Sequence, residues 1–264
     1  KNIKFDVDIE FMNASELDKL MQNISKKETI ICDLNSVSYS LVNKIKSKAK
    51  LKLEGDLIQL LKSKKNKSER NGMVECHKRD GVALTKFIFW IKNKVRNKKI
   101  TELDAIKYLD KKREKNEKFF SLSFPTIAGT GSNGAIVHYR ANKKTNKLIK
   151  TSDLFLVDSG AQYMDGTTDV TRTICFNTPS KEQIEMYTRV LKGHIAVASS
   201  KIKYGETGKK LDFLARQPLQ EVNCNFDHGT GHGVGCFLNV HESPPSISKN
   251  SKIKFEDGMI VSNE

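Results

Sequence analysis

The stretch VDSGAQYMDGTTDVTRT, residues Val157–Thr173, decides how the chain folds and what it can bind. It continues an apolar run, Leu154-Phe155-Leu156-Val157, of the kind that enters a protein interior as a strand. Asp165-Gly166 is a hairpin turn signature between two β-prone segments. With an even number of loop residues, positions facing each other across the hairpin sum to an odd number. Side chains on one face are then even-numbered on the first strand and odd-numbered on the second. Asp158 and Asp169 meet that condition and are expected on one face, a diagonal contact apart or closer. Two buried carboxylates that close repel, and one takes up a proton unless a cation intervenes. The pattern alone leaves two readings open: a divalent metal site, or a solvated hairpin with ordinary surface acids.

Upstream, ETIICDLNSVSYSLVNKI predicts a short buried strand over Thr29–Asp33, a turn at Leu34-Asn35-Ser36 and then a helix. That piece is too small for a complete α/β domain and reads as the tail of one. The lysine-rich stretch 62–69 is expected as a linker. A long helix follows, with Met73, Cys76, Val82, Leu84, Ile88, Ile91 and Val95 near helical spacing. A second helix starts at Thr101, where TELD is a capping-box-like signature, with Leu103, Ile106 and Leu109 on its apolar side. From Phe119 the chain becomes β-prone and is broken by Pro and Gly. Thr178-Pro179-Ser180 opens another helix, and one more runs from about Thr207 toward Pro218. The class is α+β.

DHGTGHGVGCFLNVHE places His228, His232 and His241 within sixteen residues. The glycines around His232 disfavour a helix, so this is not the helical HExxH arrangement of zinc proteases. Cys224, His228, His232 and Cys236 lie four apart, the residue types of a zinc site. On a helix that spacing would drift along one side and surround no ion. A single histidine in such a loop is ordinarily structural. Three so close together, in a chain with six, point to a site.

The 264 residues allow a real hydrophobic core, so no disulfide framework is required. Five cysteines, an odd number, fit a reducing compartment, and the expected location is cytoplasmic. No apolar run approaches the ~20 residues of a membrane span. The formal charge of +15 raises a nucleic-acid or membrane partner. Lysine far outnumbers arginine, though, and aromatic residues are not interleaved with the basic runs, so neither partner is expected.

DSGAQYMDGTTDVTRT, HGTGHGVGCFLNVHE and GMIVSNE together resemble the catalytic domain of the aminopeptidase P (Xaa-Pro aminopeptidase) family, in its eukaryotic cytosolic form. SLSFPTIAGTGSNGAIVHY and VLKGHIAVA fit the same family. The resemblance implies a pita-bread catalytic domain over 63–264, truncated at its C-terminus, preceded over 1–62 by the end of a middle, non-catalytic domain. It implies two divalent metals, manganese, sharing a bridging hydroxide that attacks the scissile bond of peptides with proline in second position. Carried over by position, Asp158 binds one metal, Asp169 bridges both, and His232 and Glu264 bind the other. His138, His228 and His241 fall where the family places substrate, moves protons and stabilises the tetrahedral intermediate. A homodimer is implied for the full-length parent.

The family's fifth ligand, a second bridging glutamate, has no counterpart before the chain stops at Glu264. The expectation is a fragment, inactive alone, of an active parent. Two alternatives accompany it: a non-catalytic pita-bread module that binds peptides or proteins, and a prolidase-type dipeptidase.

Overall fold

Residues 11–264 are described by a computed structural model, and the chain divides into two units after Ile58. In the first unit a short helix, α1 (Leu17–Gln22), precedes strand β1 (Thr29–Asp33), helix α2 (Tyr39–Lys48) and strand β2 (Lys50–Glu54). The two strands pair in parallel, Thr29 opposite Lys50 and Asp33 opposite Glu54. A parallel pair needs a crossover, and α2 supplies it. Met21, Ile45 and Ala49 form the small core of this βαβ unit.

The lysine-rich stretch expected as a linker is mostly helical. Helix α3 (Leu57–Ser63) and helix α4 (Lys67–Lys94) leave only residues 64–66 between them. Asn66 caps α4, with Glu69 returning the bond to the Asn66 N–H. Lys65 is 3 % exposed. Its ammonium is ion-paired with Glu242 and donates to the Ser63 carbonyl at 3.2 Å. A buried carboxylate requires such a counter-charge, which is why a lysine run here is not all solvated.

The buried face of α4 runs through Met73, Cys76, Asp80, Ala83, Leu84, Phe87 and Ile91. Val82, expected on this face, is exposed, because the stripe passes through a charged residue instead. Asp80 is accommodated by a fully buried arginine at the end of helix α5 (Glu102–Arg113). Arg113 donates to both Asp80 oxygens, at 2.7 and 2.8 Å, and the Tyr163 hydroxyl adds a third bond at 2.7 Å.

Six strands follow α5: β3 (Phe119–Leu122), β4 (Ile127–Thr130), β5 (Leu154–Ser159), β6 (Ala161–Tyr163), β7 (Gly166–Thr167) and β8 (Val170–Cys175). They form two antiparallel sheets, ordered β4-β5-β8 and β3-β6-β7. Phe87, Ile91 and Leu109 of the helices pack with Ala128, Phe155, Val157 and Ile174 of the first sheet. Burial along β5 alternates, so Phe155, Val157 and Ser159 point one way and Asp158 the other.

The hairpin keeps a single register along its length. Asp158 faces Thr171 and Gln162 faces Thr167, both pairs with the same positional sum. It nevertheless crosses from one sheet to the other at Gly160. A β-carbon there would lie 1.9 Å from the Thr168 carbonyl oxygen, so only glycine allows the crossing. The loop itself is Met164-Asp165, between the paired Tyr163 and Gly166. Gly166 serves packing rather than turning: a β-carbon would meet Cys76 Sγ at 2.6 Å on α4.

Helices α6 (Lys181–Ala198) and α7 (Gly208–Gln220) pack on each other, and strands β9 (Gly231–Gly233) and β10 (Glu242–Ile247) pair in antiparallel fashion. Val197, Leu211, Ala215, Ile247 and Phe255 make the core of this half. Among the described residues no helix is long and apolar enough to cross a membrane.

Candidate metal centre

Asp158 sits on the face of β5 turned away from the helices, and the register places Asp169 diagonally across from it, just before β8. From the other half, β9 brings in His232. Its backbone N–H donates to Ser262 Oγ at 2.9 Å, and the Ser262 hydroxyl donates to Glu264 Oε1 at 2.8 Å. Ser262 thus ties the histidine strand to the glutamate. It stands two residues before Glu264, the same-face spacing of an extended segment, and that spacing was the available sequence clue to it.

Asp169, His232 and Glu264 converge, one ligand atom from each lying within 4.8 Å of the others. His232 Nε2 is 3.2 Å from Asp169 Oδ2 and 2.9 Å from Glu264 Oε1, yet neither oxygen satisfies hydrogen-bond geometry. Asp158 is outside this trio. Its Oδ1 is buried with no hydrogen-bond partner. The carboxyl feels both other acids: burial first, then the charges of Asp169 and Glu264, push it up to about 6 against a hydrogen bond from Thr171. His232 shows the opposite pressure. Burial disfavours its charge, but its contacts with Asp169 and Glu264 and its bond to the Gly233 carbonyl prevail and lift it to about 10. The imidazolium therefore supplies the positive charge that three clustered carboxylates demand. The same donor set, oxygen-rich with one imidazole, suits a hard divalent cation such as manganese. An orphaned buried carboxylate oxygen beside such a trio is what a second ion would satisfy. The residues fit a metal centre.

The three other histidines surround this centre by different means. His241 lies with its ring 4.1 Å from that of His232, nearly edge-on. Burial and then the His232 charge hold it below the usual histidine range. His138 is exposed, has φ of +56°, and contributes to the electrostatics of both Asp158 and His241. Its neighbour Tyr139 is buried, and the tyrosine hydroxyl donates to Glu102 Oε2 at 2.9 Å. His228 is exposed on the loop before β9 and lowers the Glu264 carboxyl together with His232 and Ser262, against burial. The rival set of two cysteines and two histidines does not assemble. His232 turns to the carboxylates, whereas Cys236 Sγ points at the Glu69 and Asp165 carbonyls, 3.7 and 3.6 Å away. A cleft of about 520 Å³ borders the centre, lined by Asp169, Thr171, Arg172, His194, Ser262 and Glu264 among others.

The sequence profile of metallopeptidase family M24 matches residues 71–264. The chain belongs to that family. It is 42% identical over 235 residues to a probable Xaa-Pro aminopeptidase P of Talaromyces stipitatus, covering 87% of this chain and 36% of that protein. It is 48% identical over 188 residues to a probable Xaa-Pro aminopeptidase P of Podospora anserina, covering 70% and 28%. The chain thus spans about a third of the length of the curated relatives it matches. Among solved structures it is similar to the X-prolyl aminopeptidase of Caenorhabditis elegans, described as a cytosolic enzyme with a di-nuclear active site. There the TM-score is 0.78 at 38% identity, covering 83% of this chain and 36% of that one. It is also similar to the prolidase of Pyrococcus furiosus, with a TM-score of 0.79 at 28% identity, covering 96% and 71%. The fold of this M24 chain is the pita-bread fold, with mixed helix and sheet.

Proposed function

We propose that the full-length protein is a metallo-aminopeptidase that releases the N-terminal residue from peptides with proline in second position. The convergence of Asp169, His232 and Glu264 supports this most directly. Asp158, Asp169, His232 and Glu264 would hold two divalent ions, manganese in our reading. Such ions, when bound, polarise a carbonyl and make water a nucleophile near neutral pH.

The chain's own groups then have defined work. Asp169, on the hairpin, would help hold the ions together with His232 and Glu264. Ser262 fixes the Glu264 carboxylate and the His232 backbone together. His241, its ring beside that of His232, would accept a proton or donate a hydrogen bond to the peptide. His138 and His228, both exposed, would orient the peptide and stabilise developing negative charge. A cytoplasmic location and a homodimer complete the proposal, along with the absence of nucleic-acid and membrane partners.

The test is hydrolysis by the full-length, manganese-loaded protein of a dipeptide and of longer peptides with proline in second position. Cleavage of the longer peptides, with release of their first residue, supports the aminopeptidase. Cleavage of the dipeptide only converts the reading to a prolidase-type dipeptidase. Peptide binding without turnover leaves a non-catalytic module.

A further inference from the structure

The loop 225–229 that carries His228 lacks regular secondary structure, and among the described residues no backbone N–H reaches the carbonyl of Phe226 or His228. One side chain does this instead. Arg216, on the last turns of α7, sends Nη1 to the Phe226 carbonyl at 2.6 Å and to Asn225 Oδ1 at 2.9 Å, and Nη2 to the His228 carbonyl at 2.7 Å. Its Nε donates to Asp212 Oδ1 at 3.0 Å, one turn earlier on the same helix. Four of the five N–H groups of the guanidinium are thereby committed. The same plane lies 4.0 Å from the centre of the Phe226 ring, and that ring lies 4.7 Å from the His228 imidazole. Phe226 thus contacts both the guanidinium and the imidazole.

The anchor is itself anchored. Asp212 is buried, and its Oδ1 also accepts from Thr230 Oγ1 at 2.7 Å. The Thr230 carbonyl in turn accepts the Glu264 N–H at 2.8 Å. One ion pair on α7 therefore reaches both His228 and the backbone of Glu264.

We infer that Arg216 is a positioning residue for His228: its fork fixes the loop backbone while Phe226 sets the tilt of the imidazole toward the peptide. A lysine in its place keeps the charge but cannot donate in three directions within one plane. The inference rests on the role proposed for His228, and a thermodynamic cycle separates the two.

In the full-length manganese enzyme, Arg216→Lys lowers kcat roughly tenfold to a hundredfold with KM little changed. In a His228→Ala background the same change produces no further loss, because its effect passes through the missing imidazole. Separately, in the metal-free protein with labelled histidine, Arg216→Lys shifts or broadens the His228 Cε1–H resonance while that of His77 stays in place. Phe226→Leu, which leaves every hydrogen bond of Arg216 intact, gives a smaller change of the same kind, and it carries the test if Arg216→Lys does not fold. An equal loss of turnover in both backgrounds, or an unmoved His228 resonance, overturns the inference. Should His228→Ala retain full turnover, the proposed role of His228 falls, and the resonance alone decides whether Arg216 positions the ring.

Discussion

The two halves of the centre place their ligands by opposite strategies. The first, α4 and α5 behind the sheet β4-β5-β8, delivers Asp158 on a regular strand and Asp169 just before the next. Their relative position follows from one backbone register that continues across the change of sheet at Gly160. The second, α6 and α7 beside β9 and β10, delivers His228, His232 and His241 on short strands and loops, where side chains such as Arg216 and Ser262 replace the ladder. Consecutive residues Phe237, Leu238 and Asn239 there all have positive φ, and the Leu238 N–H is held by Gln162 Oε1 of the hairpin at 2.8 Å. Backbone in that region costs free energy for residues other than glycine and persists only where surroundings impose it. Asp158 and Asp169 thus come from the half built on strand pairing, whereas His232 and Glu264 come from the half in which side chains tie the segments together.

The comparison can be broken first at Asp169. Asp169→Asn in the full-length protein is expected to remove turnover by orders of magnitude, whereas His241→Ala in the other half lowers it less. Steady-state kinetics with a peptide carrying proline in second position measures both, and equal losses would erase the distinction between the two halves. Next is the strand-paired half itself. Arg113→Ala strands the buried Asp80 carboxylate and should cost about 3–5 kcal/mol in denaturant unfolding. A cost below 1 kcal/mol would mean that the helices do not depend on this pair to hold the hairpin. In the other half, Ser262→Ala should weaken manganese binding roughly tenfold without comparable loss of stability. Titration calorimetry reads it, and an unchanged affinity would show that Glu264 needs no tether.

The last prediction concerns protons. At pH 7.5 Asp158, with its carboxyl at about 6, is already ionised in the metal-free chain, while His232, at about 10, is still protonated. Only a neutral imidazole binds a metal, so binding at His232 releases about one proton. Calorimetry in buffers of different ionisation enthalpy counts it. The folding contribution has a definite sign: His232, raised above its unfolded value of 6.5, adds stability that is full below that pH and is lost as pH rises toward 10. Asp158, also raised, disfavours the folded state increasingly as pH rises from 3.8 to about 6.

The strand-paired half was the more legible. Strand parity places Asp158 and Asp169 on one face from sequence alone, and the register Asp158–Thr171 has the odd sum that parity requires. The cap at Thr101 and the strand Thr29–Asp33 follow equally local rules, although the strand, expected to be buried, has none of its residues buried and leaves Ile31 exposed. What sequence pattern did not yield was long-range. Asp80 breaks the apolar stripe of α4 because Arg113, thirty-three positions on, neutralises it. Gly166 reads as a turn residue, but its role is to clear Cys76. The network around His228 joins α7 to a loop through carbonyl groups, which every residue has, so no residue type marks them. Of the site, the candidate ligands and histidines were available in advance; Thr171 and Ser262 stood in the same motifs without a reading of their own, and Arg216 became evident only in three dimensions.

The seam at Lys65 has a consequence for anyone shortening the protein. By composition, residues 62–69 look like a spacer that a flexible sequence could replace. Yet Lys65 neutralises Glu242, the residue after His241, from a position between two helices. A cut placed at the cap of α4 would remove that lysine and leave a lone carboxylate sealed in the interior one residue from the centre. Inserting a single residue between Lys65 and Asn66 would shift the ammonium off its target. A segment that looks freely exchangeable is thus fixed in length to the residue.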